Sequence, residues 1–363
     1  MVRKGENIYK RKDGRWEGRY IKGRKSDGSA MYGYIYSKKY LDLKEKLLTM
    51  KALYSHNYTF KTIVYQGTFN DWATCWLSEV QIQLKPSTYA SYTNKMEKHI
   101  LPYLGDLPLQ SITTSILNKW VKKLENHLSP NSVRIIHQVL MSCFIAAAKR
   151  SLILENPCKS VLLPKKTPNK VEAITSYEQK KLKKQALVHP KGMAIVLALE
   201  TGMRIGEIAG LKWEDIDFST SLLTVKRTVQ RIQCKKDGDK KTQIIEGPPK
   251  TLASKRSIPI SKKLNNYLAK HKLKSQGNFV LGGMKPAEPR LISFWLKKIC
   301  QSIHFTNIHF HQLRHSFATR CLEKGVNIAT ISALLGHRST KMTLDTYVSS
   351  FLSEKRKAIK LIS

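Results

Sequence analysis

Acidic residues are scarce in this chain. Only 26 Asp and Glu stand against 64 Lys and Arg in 363 residues, which leaves a formal net charge of +38 at pH 7. That excess lies far beyond what solubility needs and repels itself in a compact state, so a polyanionic partner is expected. Neutralising phosphates and releasing their condensed counterions would supply the compensating, salt-dependent free energy. Long apolar runs are also lacking, and no stretch approaches the length that crosses a bilayer. The basic residues recur along the whole chain instead of gathering in one amphipathic helix, so nucleic acid ranks above a membrane surface and no membrane partner is expected. The opening Met1-Val2-Arg3-Lys4-Gly5 leads into polar and basic residues, not an apolar signal core, so the expected location is cytoplasmic. The six cysteines are widely scattered without a C-x-x-C pair, which argues against a disulfide framework or a zinc knuckle and for reduced thiols.

What is present divides the chain. Its length exceeds the size at which one core stops growing, and the pattern predicts an α+β, multidomain fold with boundaries at 1–65, 66–164, a linker 165–173, and 174–363. In the first region, turn signals at Lys12-Asp13-Gly14 and Ser26-Asp27-Gly28 separate aromatic-rich runs, predicting a small three-stranded β-sheet. A helix from about Lys39 to Tyr54 offers Leu41, Leu43, Leu47, Leu48 and Leu53 to cover it. Its exposed face is expected to carry Lys10, Arg11, Lys12, Arg15, Arg19, Lys22, Arg24 and Lys25 beside Trp16 and Tyr20, a basic β-ribbon suited to a DNA groove. The alternative is that the aromatics form core and the charges are merely solvated.

The second region reads as a helical bundle. Phe69, Trp72, Trp76, Leu77 and Val80 form one stripe, Pro86 opens a further helix, and Ser129-Pro130 supplies a cap and an N1 proline. The linker, with Lys165 and Lys166 between prolines, looks extended. The third region begins at a capping box, Thr175 to Glu178, and is mainly helical with a small antiparallel sheet. Its strand candidates are Leu222 to Ile232, Thr242 to Ile245 and Ser257 to Ile260, with a basic hairpin tip ending at Lys241.

Metal-free phosphodiester cleavage needs cationic donors on the non-bridging oxygens, an in-line nucleophile and an acid for the leaving oxygen. The third region contains such a set. Gly202 should break one helix and Arg204 open the next, where a guanidinium can fork phosphate oxygens, although Arg204 could equally serve Glu207 as a structural partner. His311 and Arg314 lie three apart, on one face of a helix. His337 follows Gly336, and Tyr347 comes ten residues later. His304, His309, His311, His315 and His337 also permit a metal site, but no carboxylate sits among them and two arginines would repel a cation, so no metal and no cofactor are expected.

The order Arg204, Lys250, His311-x-x-Arg314, His337, Tyr347 resembles the active-site signature of the tyrosine recombinase family, phage-type and lambda-like. Thr201-Gly202-Met203-Arg204-Ile205-Gly206-Glu207, His311-Gln312-Leu313-Arg314-His315 and Leu334-Leu335-Gly336-His337 look like its motif boxes. The resemblance covers roughly the C-terminal half; the preceding regions look like arm-binding and core-binding DNA domains. It implies a site-specific integrase that cleaves and rejoins DNA through a 3′-phosphotyrosyl bond and a Holliday junction, integrating and excising a mobile element. Arg204 and Arg314 would bind the scissile phosphate, Tyr347 would attack phosphorus, His311 would be the acid/base partner of the tyrosine, and His337 would hydrogen-bond the phosphate. Lys250 aligns with the lysine that protonates the leaving oxygen, with Lys255 and Lys241 as neighbouring alternatives. Lys165, Lys166 and Lys241 are expected to contact DNA. The partners the resemblance implies are double-stranded DNA at core and arm sites, three further copies in a tetramer on DNA, and accessory DNA-bending or excision proteins, in a nucleoid-associated, prokaryotic setting. Residues 348–362 would dock on a neighbouring copy or fold back. The other readings are a type IB topoisomerase-like strand-passage enzyme and a catalytically silent DNA-binding protein.

Overall fold

The computed structural model describes residues 7–24, 29–59, 65–167, 173–234, 242–249, 251–337, 339–347 and 359. By packing, the chain divides into two compact units, residues 1–82 with 95–165, and residues 83–94 with 166–363.

The first unit begins with the expected sheet. Asp13 organises the first turn by accepting from the Arg15 N–H at 3.1 Å. Strand β1 (Ile8–Lys10) pairs antiparallel with β2 (Trp16–Arg24), which pairs antiparallel with β3 (Ala30–Ser37). The second turn, at 25–28, lies outside the described residues. Helix α1 (Tyr40–Thr59) covers one face through Leu43 and Leu47, a single turn apart and both buried. Leu41 and Leu48, expected to help, point to solvent, and the Leu53 side chain is outside the description.

The choice of face corrects the sequence reading. Tyr20 is buried and its ring lies 5.1 Å from Tyr54, while Trp16 meets Tyr40 edge-on at 5.0 Å, so both sit on the helix side. The open face carries Tyr9, Tyr32, Tyr34 and Tyr36 instead. Arg19 lies 4.4 Å over Tyr32, and Arg11 and Arg15 lie over Tyr36, so cations and aromatics do share one exposed surface.

The helices of the same unit build a core around tryptophan. Helix α2 (Phe69–Gln83) buries Phe69, Trp72 and Trp76; α3 (Pro86–Lys95), grouped with the second unit, is followed by a π-helical turn over Met96–Ile100 and by α4 (Leu101–Leu104). Then come α5 (Thr114–Glu125), capped by the Thr113 side chain, and α6 (Pro130–Lys149), capped by Ser129 with proline at N1 as expected. Trp72 Nε1 donates to the Cys143 carbonyl at 3.3 Å and Trp120 Nε1 to the His99 carbonyl at 2.9 Å, so the large rings bury without orphaning their donors. Helix α6, at 20 residues, is long and apolar enough by composition to cross a membrane, contrary to the expectation that no segment approaches that length. Its residues Val133, Ile136, Leu140, Cys143, Phe144 and Ala147 are buried in this bundle.

The second unit is built on a helix with almost no polar face. After α7 (Ser176–Val188), opened by the predicted Thr175–Glu178 capping box, α8 (Met193–Thr201) buries nearly every side chain and packs against α7 and against the later helix Phe310–Glu323. Such a helix must be central. It ends in the left-handed conformation at Gly202, φ +64°, and α9 (Ile205–Ala209) starts at Arg204 as predicted. Strands β4 (Ile216–Asp217), β5 (Leu222–Val225), β6 (Thr228–Gln233), β7 (Thr242–Gly247) and β8 (Arg256–Pro259) form two small antiparallel sheets, ordered β4-β5-β8 and β6-β7. The run expected as one strand from Leu222 to Ile232 is thus two, broken at Lys226-Arg227, where Arg227 turns to pair with Asp215 and Glu214. The tip at 235–241 lies outside the described residues. The remaining helices are α10 (Lys262–Leu273), α11 (Pro289–Gln301), α12 (Phe310–Glu323), α13 (Ile328–Leu335) and α14 (Thr340–Tyr347).

Gly202 should tolerate no side chain. A Cβ there would lie 2.5 Å from Phe317 Cδ1 and 2.8 Å from Leu335 Cδ2, besides requiring a left-handed backbone. Gly202→Ala is expected to destabilise the protein by about 2–4 kcal/mol, the sum of backbone strain and overpacking. Equilibrium urea denaturation measures it, and a loss below about 1 kcal/mol would show that Phe317 repacks freely.

Candidate active site

The site assembles at the C-terminal end of α13. An α-helix leaves its last carbonyls without intrahelical donors. Here a Schellman turn around left-handed Gly336 (φ +66°) satisfies two of them: Gly336 N–H donates to Ala333 and His337 N–H to Ser332, each at 3.0 Å. The next three carbonyls each meet a different arginine. Arg256 Nε donates to Leu334 at 2.6 Å, Arg314 Nη2 to Leu335 at 2.8 Å, and Arg204 Nη2 to Gly336 at 3.3 Å. Gly336 permits the approach, since a Cβ there would lie 3.0 Å from both Arg256 Nη1 and the Ala253 carbonyl.

Each arginine is fixed a second time. Arg314, with its neighbour three residues earlier His311, projects from α12 and donates from Nη1 to the Gly202 carbonyl at 2.7 Å. It therefore ties the end of α8 to the end of α13. Arg204 and Arg256 share the buried Glu207: Arg204 Nη1 reaches Oε1 at 2.8 Å, and Arg256 reaches Oε1 at 3.2 Å and Oε2 at 3.0 Å. The expected choice between a phosphate role and a Glu207 role for Arg204 is thus not exclusive, because its guanidinium, about a third exposed, is held by Glu207 while remaining open to solvent. Burial alone would raise the Glu207 carboxyl, but the charge and hydrogen bonds of Arg256, then of Arg204, hold it below the usual carboxylate range.

Three histidines complete the cluster. His311 is exposed at the start of α12 and its ring meets His315 edge-on at 4.7 Å. Desolvation, then Arg314 and Arg204, push its pKa below the ordinary value. His315 is buried and His337 half-buried, and both are pushed down to about 4, chiefly by desolvation and then by neighbouring positive charge. His337 Nδ1 is hydrogen-bonded to Thr343 Oγ1 at 2.8 Å. All three shifts favour the neutral imidazole.

The structure therefore brings together Arg204, His311, Arg314 and His337. Tyr347 is the last residue of α14, and its side chain is outside the description, as are Lys250 and Lys241. Lys255 is exposed just before β8. Of the expected DNA contacts, Lys10, Arg11, Lys12, Arg15, Lys165 and Lys166 are exposed and Arg19 is half-buried, while the Arg24 side chain and Lys25 are not described. Arg11 and Arg15 also pair with Asp13, and Arg11 with Glu17 at 2.7 Å. Sequence reasoning missed Arg256 and Thr343. An arginine opening a strand whose next inward residue, Ile258, is buried was the available signal for the first; the hydroxyl four residues before Tyr347 gave none.

A family model described as the phage integrase family matches residues 165–354, and one described as a phage integrase N-terminal SAM-like domain matches residues 68–125. A XerC-like tyrosine recombinase of Caldanaerobacter subterraneus subsp. tengcongensis is 29% identical over 329 residues, covering 82% of this chain and 83% of its own. Among solved structures, the Tn1549 transposon integrase in complex with a circular intermediate DNA aligns with a TM-score of 0.67 at 21% identity, covering 80% of this chain and 99% of that one. A lambda integrase tetramer bound to a Holliday junction aligns with a TM-score of 0.58 at 20% identity, covering 93% and 97%.

Glu207→Gln should destabilise the protein by about 3 kcal/mol near neutral pH, because two arginines lose a buried counter-charge. The sign with pH follows from the depressed carboxyl: its contribution is complete above the ordinary glutamate value of about 4.3 and is lost as pH falls through the lower folded value. Denaturation of both proteins at stepwise lower pH should show the gap closing; a gap that stays constant would mean that shape, not charge, is what Glu207 provides.

Proposed function

Since the chain belongs to the phage integrase family and is a tyrosine recombinase, an enzyme that cleaves and rejoins DNA strands, we propose the following division of labour among its residues. Arg204 and Arg314 bind the non-bridging oxygens of the scissile phosphate. Tyr347 attacks phosphorus, forming a 3′-phosphotyrosyl bond and releasing a 5′-hydroxyl. His311, whose neutral form is favoured by desolvation and then by Arg314 and Arg204, accepts the tyrosine proton, and His337 hydrogen-bonds a phosphate oxygen. Lys250 protonates the departing 5′-oxygen. The phosphotyrosyl bond keeps the energy of the phosphodiester, so a different 5′-hydroxyl can attack and expel the tyrosine without ATP. The observation that carries this reading is the convergence of Arg204 and Arg314, 110 positions apart by their numbering, on adjacent carbonyls, Gly336 and Leu335, next to His337.

The organisation proposed is an arm-type DNA-binding domain at 1–65, a core-site domain at 66–164, a linker at 165–173 and a catalytic domain at 174–363. The break between packing units after Lys165 supports the boundary at the linker, and the SAM-like match at 68–125 supports the core-site domain. The cation-lined tyrosine face supports the arm-binding role, with Lys10, Arg11, Lys12, Arg15 and Arg19 as contacts and Arg24 included by its place in β2. Lys165, Lys166 and Lys241 are proposed as further phosphate contacts. Assembly as a tetramer on two duplexes is proposed from the lambda integrase likeness, and action in a bacterial cytoplasm from the relatives' origin. Residues 348–362, proposed to dock between copies, lie outside the described residues except Ile359, which is exposed. Matches to integrase models in both halves leave the strand-passage topoisomerase reading with no observation in its favour.

Incubation with a library of nicked duplexes whose central sequence is randomised should trap a denaturation-resistant adduct, and sequencing it yields a core site. Tyr347→Phe should abolish the adduct while leaving DNA affinity within about twofold, since one oxygen leaves a large charged interface. An adduct formed by that variant would move the nucleophile elsewhere.

The lysine can be tested at the DNA itself. A 5′-bridging phosphorothiolate leaves as a thiolate, whose conjugate acid is far stronger than an alcohol, so leaving-group protonation ceases to matter. Lys250→Ala should be at least about a hundredfold slow on ordinary DNA and close to wild type on the sulfur strand, whereas Arg204→Ala should stay slow on both. Rescue of Lys255→Ala or Lys241→Ala, with Lys250→Ala unrescued, would reassign the acid.

A further inference from the structure

The conformation of His337 leaves one question open: which ring nitrogen carries its single proton. A neutral imidazole has one N–H and one lone pair, and only the nitrogen bearing hydrogen can donate to a phosphate oxygen. Nδ1 is 2.8 Å from Thr343 Oγ1. Thr343 is 1% exposed, so its hydroxyl cannot exchange this partner for water, and it bonds to no other described residue. Were Nδ1 protonated, the ring would donate to Oγ1 and the threonine hydrogen would have no acceptor among the described residues in a buried place, at the full desolvation penalty. With Nδ1 bare, the hydroxyl donates to it and both groups are satisfied.

The geometry points to Thr343 as the positioning residue that sets the tautomer of His337. Its hydroxyl donates to Nδ1, so the ring proton is held on Nε2, the nitrogen left to meet the phosphate. The arrangement rests on the reading of His337 as a phosphate donor. Burial first, and then the charged and titratable groups that face that ring among the described residues, Arg314, Arg204, Arg256 and His315, favour its neutral form, which is what makes the tautomer matter. A doubly protonated ring would donate from both nitrogens and need no threonine.

The same bond has a second effect. Thr343 and Tyr347 are four residues apart in α14, so their Cα atoms lie on one face, one turn apart. The His337–Thr343 bond thus ties the turn that leads to Tyr347 to the end of α13, where the arginines gather. One hydroxyl both orients a phosphate donor and anchors the helix of the nucleophile.

Heteronuclear NMR of the ring nitrogens reads the first effect directly in the unsubstituted full chain. The His337 ring, assigned by its loss in His337→Asn, should be protonated at Nε2 near neutral pH, and Thr343→Val should convert it to a mixture. In single-turnover adduct formation on the selected core site, Thr343→Val should be slower by about tenfold, as for one lost hydrogen bond, with DNA affinity unchanged. Thr343→Ser, which restores the hydroxyl, should recover most of that rate, whereas a purely packing role would be served better by valine. A wild-type ring protonated at Nδ1, or a Thr343→Val rate equal to wild type, would overturn the assignment. A fast His337→Ala would instead strike the phosphate role of His337, and the tautomer in the unsubstituted chain would still decide what Thr343 does.

Discussion

Three carbonyls at the end of one short helix hold this active site together. A helix C-terminus carries roughly half a negative charge spread over its unsatisfied carbonyls. In α13 the Schellman turn satisfies Ser332 and Ala333 and passes Leu334, Leu335 and Gly336 to Arg256, Arg314 and Arg204. Three guanidinium groups so close would repel one another, and the helix end together with the Glu207 carboxylate is what offsets them. Because Arg314 also binds the end of α8 and Arg256 opens β8, the parts of the second unit that carry chemistry are aligned by the same few bonds. Precision in the site follows from these backbone acceptors, which unlike long acidic side chains cannot swing away.

The balance is nevertheless left positive, and that has a chemical use. The carboxylate engaged by Arg204 and Arg256 is a single one, Glu207, committed on both oxygens. Desolvation first, and then the uncompensated charge, lowers the proton affinity of His311, His315 and His337, which favours neutral rings beside the arginines. A neutral His311 can accept a proton; a protonated one cannot. In the proposed reaction the arginines would stabilise charge on the phosphate and keep a base available with one and the same field.

Much of this was legible in the sequence, for reasons that can be stated. Gly202 followed by Arg204 marks a helix end and a helix start, and the left-handed Gly202 and the N-cap Arg204 are where that reading puts them. His311 and Arg314 share a helix face because three residues make nearly one turn. What failed were choices between equivalent faces. The runs from Trp16 to Ile21 and Met31 to Tyr36 carry aromatics on both sides, so an alternating pattern cannot say which side a helix will cover. That depends on Leu43 and Leu47, one turn apart, whereas Leu41 and Leu48 were equally apolar candidates. Likewise Leu222 to Ile232 has polar pairs at both Lys226-Arg227 and Gln230-Arg231, and the break falls at the first, where Arg227 pairs with Asp215 and Glu214, partners no local pattern names. Arg256 was passed over because its significance lies in Glu207 and Leu334, which are distant in sequence.

The net charge of the chain and the geometry of its site are parts of one argument. A surplus of 38 positive charges works against compaction, and in the second unit three arginines gather at the end of α13 with one carboxylate, Glu207, shared by two of them. A phosphate diester entering there brings the missing negative charge, so substrate binding relieves a repulsion that folding has already borne. In the proposed reaction that repulsion would be relieved on binding DNA and again, more strongly, as charge grows on the phosphorus oxygens during attack, because donors fixed to backbone carbonyls need no reorganisation at that moment. On this account the α13 carbonyls contribute more to catalysis than to stability: they keep the arginines together in the absence of the anion that would otherwise be needed to gather them.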